Sequence, residues 1–175
     1  MVNRIARFEK VSFAQFLADY LDTFQLNPEL HEIEQIRALY DKVSLPVRAT
    51  VGSAGYDFKA IMDIVLYPEE SIKIPTAIRC EIKDNWMLQL YPRSGLGTKY
   101  RMQIDNTIGI IDSDYYGSRN EGHIFVKITN DSKEGKVLNI KTGDAFVQGI
   151  FLPYGITYED EVIEIRNGGF GSTGK

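Results

Sequence analysis

Residues Trp86–Pro92 read WMLQLYP, a short run of alternating character, rich in aromatic and aliphatic side chains and closed by a proline. That pattern belongs to a strand and not to a helix. Four further runs share it: SIKIP (71–75), HIFVKITN (123–130), KVLNI (136–140) and AFVQGIFLP (145–153). Glycine, proline and aspartate punctuate the spaces between them, and no stretch from Leu45 onward has the length and period of a crossover helix. The expectation is an all-β body, a compact jelly roll or distorted barrel, with no parallel sheet.

Upstream of Leu45 the apolar period changes. Phe13, Phe16, Leu17, Tyr20, Leu21 and Phe24 recur at steps of three and four, giving one apolar stripe. Ser12 and Gln15 stand at capping-box positions, with Val11 and Phe16 at the staple positions around them. Asn27 and Pro28 supply a second start, cap then first-turn proline, and Leu30, Ile33, Ile36, Leu39 and Tyr40 continue it until Pro46 forbids helix. The spacing predicts a helical hairpin, its apolar stripe buried on its own barrel, on a neighbouring subunit or against a separate partner.

The whole-chain totals are those of a globular protein: 175 residues, 43% hydrophobic and 25% charged. A net charge of -4 gives no general pull toward nucleic acid or anionic membrane, so any phosphate recognition must be local. Cys80 is the lone cysteine, and His31 and His123 lack zinc-type spacing. Neither a leader nor a membrane span is recognisable, and a reducing cytoplasm is the expected location.

Small and charged residues interrupt the alternation in SAGYDFKA (53–60), YPRSGLGTKY (91–100), NTIGIIDSDYYG (106–117), TGDAFVQ (142–148) and RNGGFGSTGK (166–175). The last fits phosphate-loop spacing, but a phosphate loop also needs a Ser or Thr after the lysine and a helix beyond it, so the match is expected to be coincidental. Each stretch taken singly reads as a turn. In this order and over this length, roughly 45–175, the set resembles the motifs of the homotrimeric deoxyuridine triphosphatases (dUTPases).

That resemblance implies a jelly-roll fold, hydrolysis of dUTP to dUMP and pyrophosphate with Mg2+, and three active sites shared between the subunits of a homotrimer. It assigns Asp112 as the carboxylate that activates water, and Tyr115 as the aromatic packed under the deoxyribose. Arg93, Ser94 and Gly95 match the phosphate-binding motif, Asn106 and Gly109 the uracil-binding hairpin, and Gln148 the phosphate-side glutamine. Asp57 and Asp144 match family positions and read as braces for loops and subunit contacts. Arg166, Phe170, Gly171, Ser172 and Thr173 fall in the family's C-terminal arm, with Phe170 stacking over uracil and the hydroxyls reaching the outer phosphates. No protein metal site is visible, so magnesium is expected on the triphosphate.

The implied organisation is an N-terminal helical extension (1–44), a dUTPase-like β core (45–165) and an arm closing the site (166–175). The chain departs from the family pattern in places. Arg166 lies one residue closer to Phe170 than usual, SRNE (118–121) lengthens the loop after the aspartate motif, and Ala145 and Phe146 replace an arginine and an aliphatic residue. Two other functions share the resemblance: a dCTP deaminase, and a nucleotide-switched regulatory protein whose helical hairpin meets a partner.

Overall fold

The computed structural model describes residues 3–164. In chain order the elements are β1 (Ala6–Lys10), α1 (Phe13–Phe24), α2 (Leu30–Lys42), β2 (Val47–Arg48), β3 (Tyr56–Lys59), β4 (Ile64–Leu66), β5 (Ser71–Pro75), β6 (Ile78–Ile82), β7 (Trp86–Pro92), α3 (Ser94–Tyr100), β8 (Met102–Ile104), β9 (Gly109–Ile111), a 3-10 turn (Ser113–Gly117), β10 (Phe125–Asn130), β11 (Leu138–Ile140) and β12 (Ala145–Pro153). The chain is mostly β, with every strand pair antiparallel. The largest sheet runs β2-β3-β12-β7-β9, beside β5-β10-β8 and the pairs β1-β6 and β4-β11. This is the expected jelly-roll-like arrangement.

Period-two alternation explains which face of the large sheet is dry. Leu88, Leu90, Val147 and Phe58 are each at most 1% exposed, while Gln89, Tyr91, Gln148 and Asp57 take the alternate positions and the opposite face. Gly149 belongs to the dry face because a Cβ there would lie 2.8 Å from Leu88 Cδ1 and 3.1 Å from Phe58 Cε2.

The N-terminal segment packs into the same apolar cluster. Phe16 is 0%, Val11 1% and Ile36 5% exposed, so the helical stripe is buried on the chain's own β body. Burying a phenylalanine side chain contributes about 2 to 3 kcal/mol, and Phe16 meets Tyr40 of α2 at 5.5 Å between ring centroids. Strand β1 was not legible, because its alternation in ARFEK is diluted by charge; it pairs with β6 along its whole length and brings Phe8 against Phe58 and Phe151 of the large sheet.

Two helix starts differ from expectation. Ser12 does cap α1, accepting from the Gln15 N–H at 3.1 Å, but the Gln15 side chain turns to Asp19. The reciprocal half of the box comes from Glu121, which accepts the Ser12 N–H and hydroxyl at 2.7 Å each. Helix α2 begins at Leu30 with Glu29 as its cap, whose N–H donates to Glu32, two residues later than the Asn27–Pro28 signal. A short helix, α3, follows Arg93; Gly95 and Gly97 hid it from a propensity reading.

Candidate active site

The middle strand of the large sheet sets one end of the site. Gln148 on β12 stands directly opposite Asp57 on β3 and Tyr91 on β7, so these side chains share one face. Arg93 lies two residues past Tyr91 in extended conformation, and its guanidinium forms an ion pair with Asp57, whose side chain is 17% exposed against 39% for Arg93. Asp57 is therefore more than a loop brace: it aims Arg93, a link across 36 residues of sequence that spacing could not reveal. Gln148 Nε2 reaches the Pro92 carbonyl at 3.5 Å. The glycine of SAGYD has its reason here, since a Cβ on Gly55 would sit 2.5 Å from Gln148 Oε1.

Ser94 opens α3 and is exposed, as is Gly95, where an added Cβ would meet nothing within 4 Å. The replacements in TGDAFVQ are absorbed by a bulge in β12 between Ala145 and Val147. Phe146 is 0% exposed there, and its carbonyl accepts the Arg93 N–H at 3.1 Å. Asp144 closes the preceding turn by accepting the Lys141 N–H at 2.9 Å.

The other end of the site is the turn after β9. Asn106 is exposed in the connector from β8, where Thr107 adopts φ 68° and the Ile108 N–H donates to the Asn106 carbonyl at 2.7 Å. This connector is not a hairpin, because β8 bonds to β10 and β9 to β7, so it passes between sheets. Gly109 lies in the strand, opposite Leu90, with room for no Cβ beyond 3.2 Å from that side chain.

Asp112 directly follows β9, in extended conformation with φ -77° and ψ 159°; its carbonyl accepts the Tyr115 N–H at 3.2 Å, while its side chain makes no capping bond to the 3-10 turn. Asp114 is exposed. Tyr115 is 4% exposed, its hydroxyl donating to the His123 carbonyl at 2.7 Å and accepting from Asn120 Nδ2 at 2.9 Å. Its ring is thereby fixed in the apolar cluster beneath the turn.

Tyr116, at a variable position of the motif, is tied to distant chain. Its hydroxyl donates to Glu9 on β1 at 2.6 Å, its carbonyl accepts from Arg79 at 2.9 Å, and the Arg79 guanidinium lies 3.6 Å from its ring centroid. The bonds from Ser12, its backbone N–H first, hold the Glu121 carboxyl below the usual range. Burial pushes the Cys80 thiol well up, so it is no nucleophile. Among the described residues no group of three or more His, Cys, Asp or Glu side chains could hold a metal ion, and no helix is long and apolar enough to cross a membrane.

These two ends are far apart in one chain. Ile111 pairs with Leu88, so Asp112 is one step beyond it and Arg93 five steps the other way. At about 3.4 Å per residue the separation along β7 is about 20 Å. An open groove walled by Arg48, Tyr56, Trp86 and Phe151 includes none of the site residues. Arg166, Phe170, Gly171, Ser172 and Thr173 lie outside the described residues.

Comparison with known proteins supplies the frame for this arrangement. The dUTPase family model matches residues 41–174. A deoxyuridine 5'-triphosphate nucleotidohydrolase of Lactococcus lactis is 38% identical over 135 residues, which cover 75% of this chain and 89% of that protein. Among solved structures, the dUTPase from Streptococcus mutans superposes with a TM-score of 0.57 at 32% identity, over 65% of this chain and 88% of that one. A dUTPase from phage phi11 of S. aureus, whose structure shows coordination of a structural Mg(II) ion, gives a TM-score of 0.57 at 23% identity, over 70% and 91% of the two chains, and supports the fold.

Proposed function

The chain belongs to the dUTPase family, and from that premise we propose a dUTP diphosphatase in which Asp112 activates the attacking water and each site is shared between copies of the chain. The observation that carries the shared site is the separation just described. About 20 Å of strand between Asp112 and Arg93 of one chain favours a site completed by a neighbour. In this reading a second copy brings its Arg93, Ser94 and Gln148 to the first copy's Asp112, and a homotrimer does so three times over.

In this reading Asp112 orients a water and takes its proton as the water oxygen bonds to phosphorus. The bridging bond between the α and β phosphates breaks, its electron pair leaves with pyrophosphate, and dUMP remains. Arg93, aimed by Asp57, offers a guanidinium to the phosphate oxygens. Ser94 adds a hydroxyl, Gly95 leaves the backbone open to approach, and Gln148 stands beside them. Asn106 and the backbone near Gly109 meet uracil, and Tyr115 forms the fixed floor below the sugar. Arg166, Phe170, Gly171, Ser172 and Thr173 close over the nucleotide. The triphosphate oxygens would carry the Mg2+, which would supply neutralising charge at the phosphates.

The direct test is pyrophosphate release from dUTP, with dTTP, dCTP and UTP in parallel and magnesium present. Hydrolysis confined to dUTP is expected; ammonia release from dCTP would identify a deaminase instead. Mixing Asp112→Asn with Arg93→Ala subunits then tests the shared site. Activity regained on mixing supports it, and a mixture no better than either parent overturns it.

A further inference from the structure

Resting on that reading, we infer that residues 9–19, which precede the family match, act as a positioning element for the turn that carries Asp112 and Tyr115. Two features outside the common family pattern meet here: the N-terminal segment and the lengthened loop 118–121. Three clasps join the N-terminal segment to this loop and to the residues on either side of it. Tyr116 donates to Glu9 at 2.6 Å. Glu121 accepts both the N–H and the hydroxyl of Ser12 at 2.7 Å. His123 Nδ1 meets Asp19 Oδ2 at 2.5 Å.

The His123 clasp leads straight to the site. Its ring is 0% exposed, and Nε2 accepts the Ala77 N–H at 2.9 Å. An amide can only donate, so Nδ1 carries the imidazole proton and gives it to the Asp19 carboxylate. With the ring fixed by α1, the His123 backbone carbonyl is fixed too, and it accepts the Tyr115 hydroxyl at 2.7 Å. Ala77 ties the same knot from below: it is buried at φ 62°, and its carbonyl accepts the Val11 N–H at 3.0 Å. Gly122 lets the loop turn back, since at φ 70° a Cβ would lie 2.7 Å from Tyr116 Cα.

Asp19 and Glu121 are positioning residues: they act through Tyr115 and the turn. A tyrosine floor held from behind excludes the 2'-hydroxyl of a ribonucleotide by position, so loosening it should erode selectivity more than binding.

The experiment uses the full chain in three forms beside wild type: Asp19→Ala, Asp19→Asn and Glu121→Ala. Hydrogen exchange is read at the amides of Ser118, Glu121 and His123, and kcat/KM is compared for dUTP and UTP. In Asp19→Ala and Glu121→Ala exchange should rise about tenfold or more at these amides, the equivalent of one charge-assisted hydrogen bond. The dUTP preference over UTP should fall by about tenfold. Asp19→Asn, whose amide oxygen still accepts from Nδ1, should restore both. Unchanged exchange at these amides, or an unchanged ratio in active variants, overturns the inference. Glu121→Ala decides if Asp19→Ala does not fold. A wild type that exchanges as described but turns over no dUTP would instead sink the dUTPase reading alone, because exchange needs no catalysis.

Discussion

At the carboxyl end of β7, Asp57, Gln148 and Arg93 stand on adjacent hydrogen-bonded strands; at its amino end, Asp112 stands at the mouth of a 3-10 turn held by side chains from residues 9–19. Backbone ladders fix Asp57 and Gln148, and the Asp57 ion pair aims Arg93 just past the end of β7. The second group departs from the sheet: its turn is closed by local backbone bonds and tied by side-chain clasps to distant chain. A site built half on ladder and half on clasps should respond differently to damage at each half.

The sharpest separation comes from Asp112→Asn. Without the general base, turnover should fall by about 10² to 10⁴. Thermal unfolding is to be measured beside it, so that loss of turnover is separated from loss of fold. Near-normal turnover would remove Asp112 from its role. At the ladder end the matching change is Asp57→Asn, which leaves Arg93 in place but unaimed. The loss expected is about ten- to a hundredfold in kcat/KM, the worth of a charge-assisted hydrogen bond. Its signature is a raised KM with kcat nearly kept; a pure kcat effect would break the comparison by placing Arg93 in the transition state alone.

A smaller effect isolates Gln148. In Gly55→Ala the new methyl would stand 2.5 Å from Gln148 Oε1, the far end of a flexible side chain that can swing away. Stability should hardly change while kcat/KM drops about fivefold, as for one lost neutral hydrogen bond. Gly149→Ala is the control: its methyl meets Leu88 and Phe58 in the dry face, so it should unfold the chain more easily.

The same contrast governs what could be read from sequence. Strands such as WMLQLYP and AFVQGIFLP were legible to the residue because alternation is a local signal. Phe16 and its stripe were legible for the same reason. The partners of those elements were not. Nothing in ARFEK announces that it pairs with β6, and nothing in Gln15 says that Glu121, 109 residues from Ser12, will take its place in the capping box. Residue types for the site were carried by the motifs, but the Asp57–Arg93 pair, the crossing of the β8–β9 connector between sheets and the Asp19–His123 contact are tertiary facts with no local spacing. The distance between Asp112 and Arg93 likewise needed the register of β7 and β9.

The smallest effect expected is on pH, and it bears on the clasps directly. Glu121 titrates below its ordinary range in the folded chain because the Ser12 N–H and hydroxyl bond to its charged form, with Arg79 adding favourable charge. A folded value below the unfolded one means that the carboxylate stabilises the fold above about pH 4.3, where the unfolded group is ionised, and that this contribution is lost as pH falls through the folded value. Other depressed carboxylates, Asp63 among them at about 2, titrate in the same acid range, so the slope of wild-type stability with pH is not specific. Comparison with Glu121→Gln makes it so. The variant should be less stable than wild type at neutral pH by about 1 kcal/mol, and the gap should close on acidification, as read by denaturant unfolding at each pH. Hydrogen exchange under the same conditions should show the amides of Ser118 and Glu121 opening in acid before that of Gln148, which pairs into the central ladder. If the ladder and the turn opened together, the two halves of the site would share one cooperative unit, and the clasps would be ordinary packing.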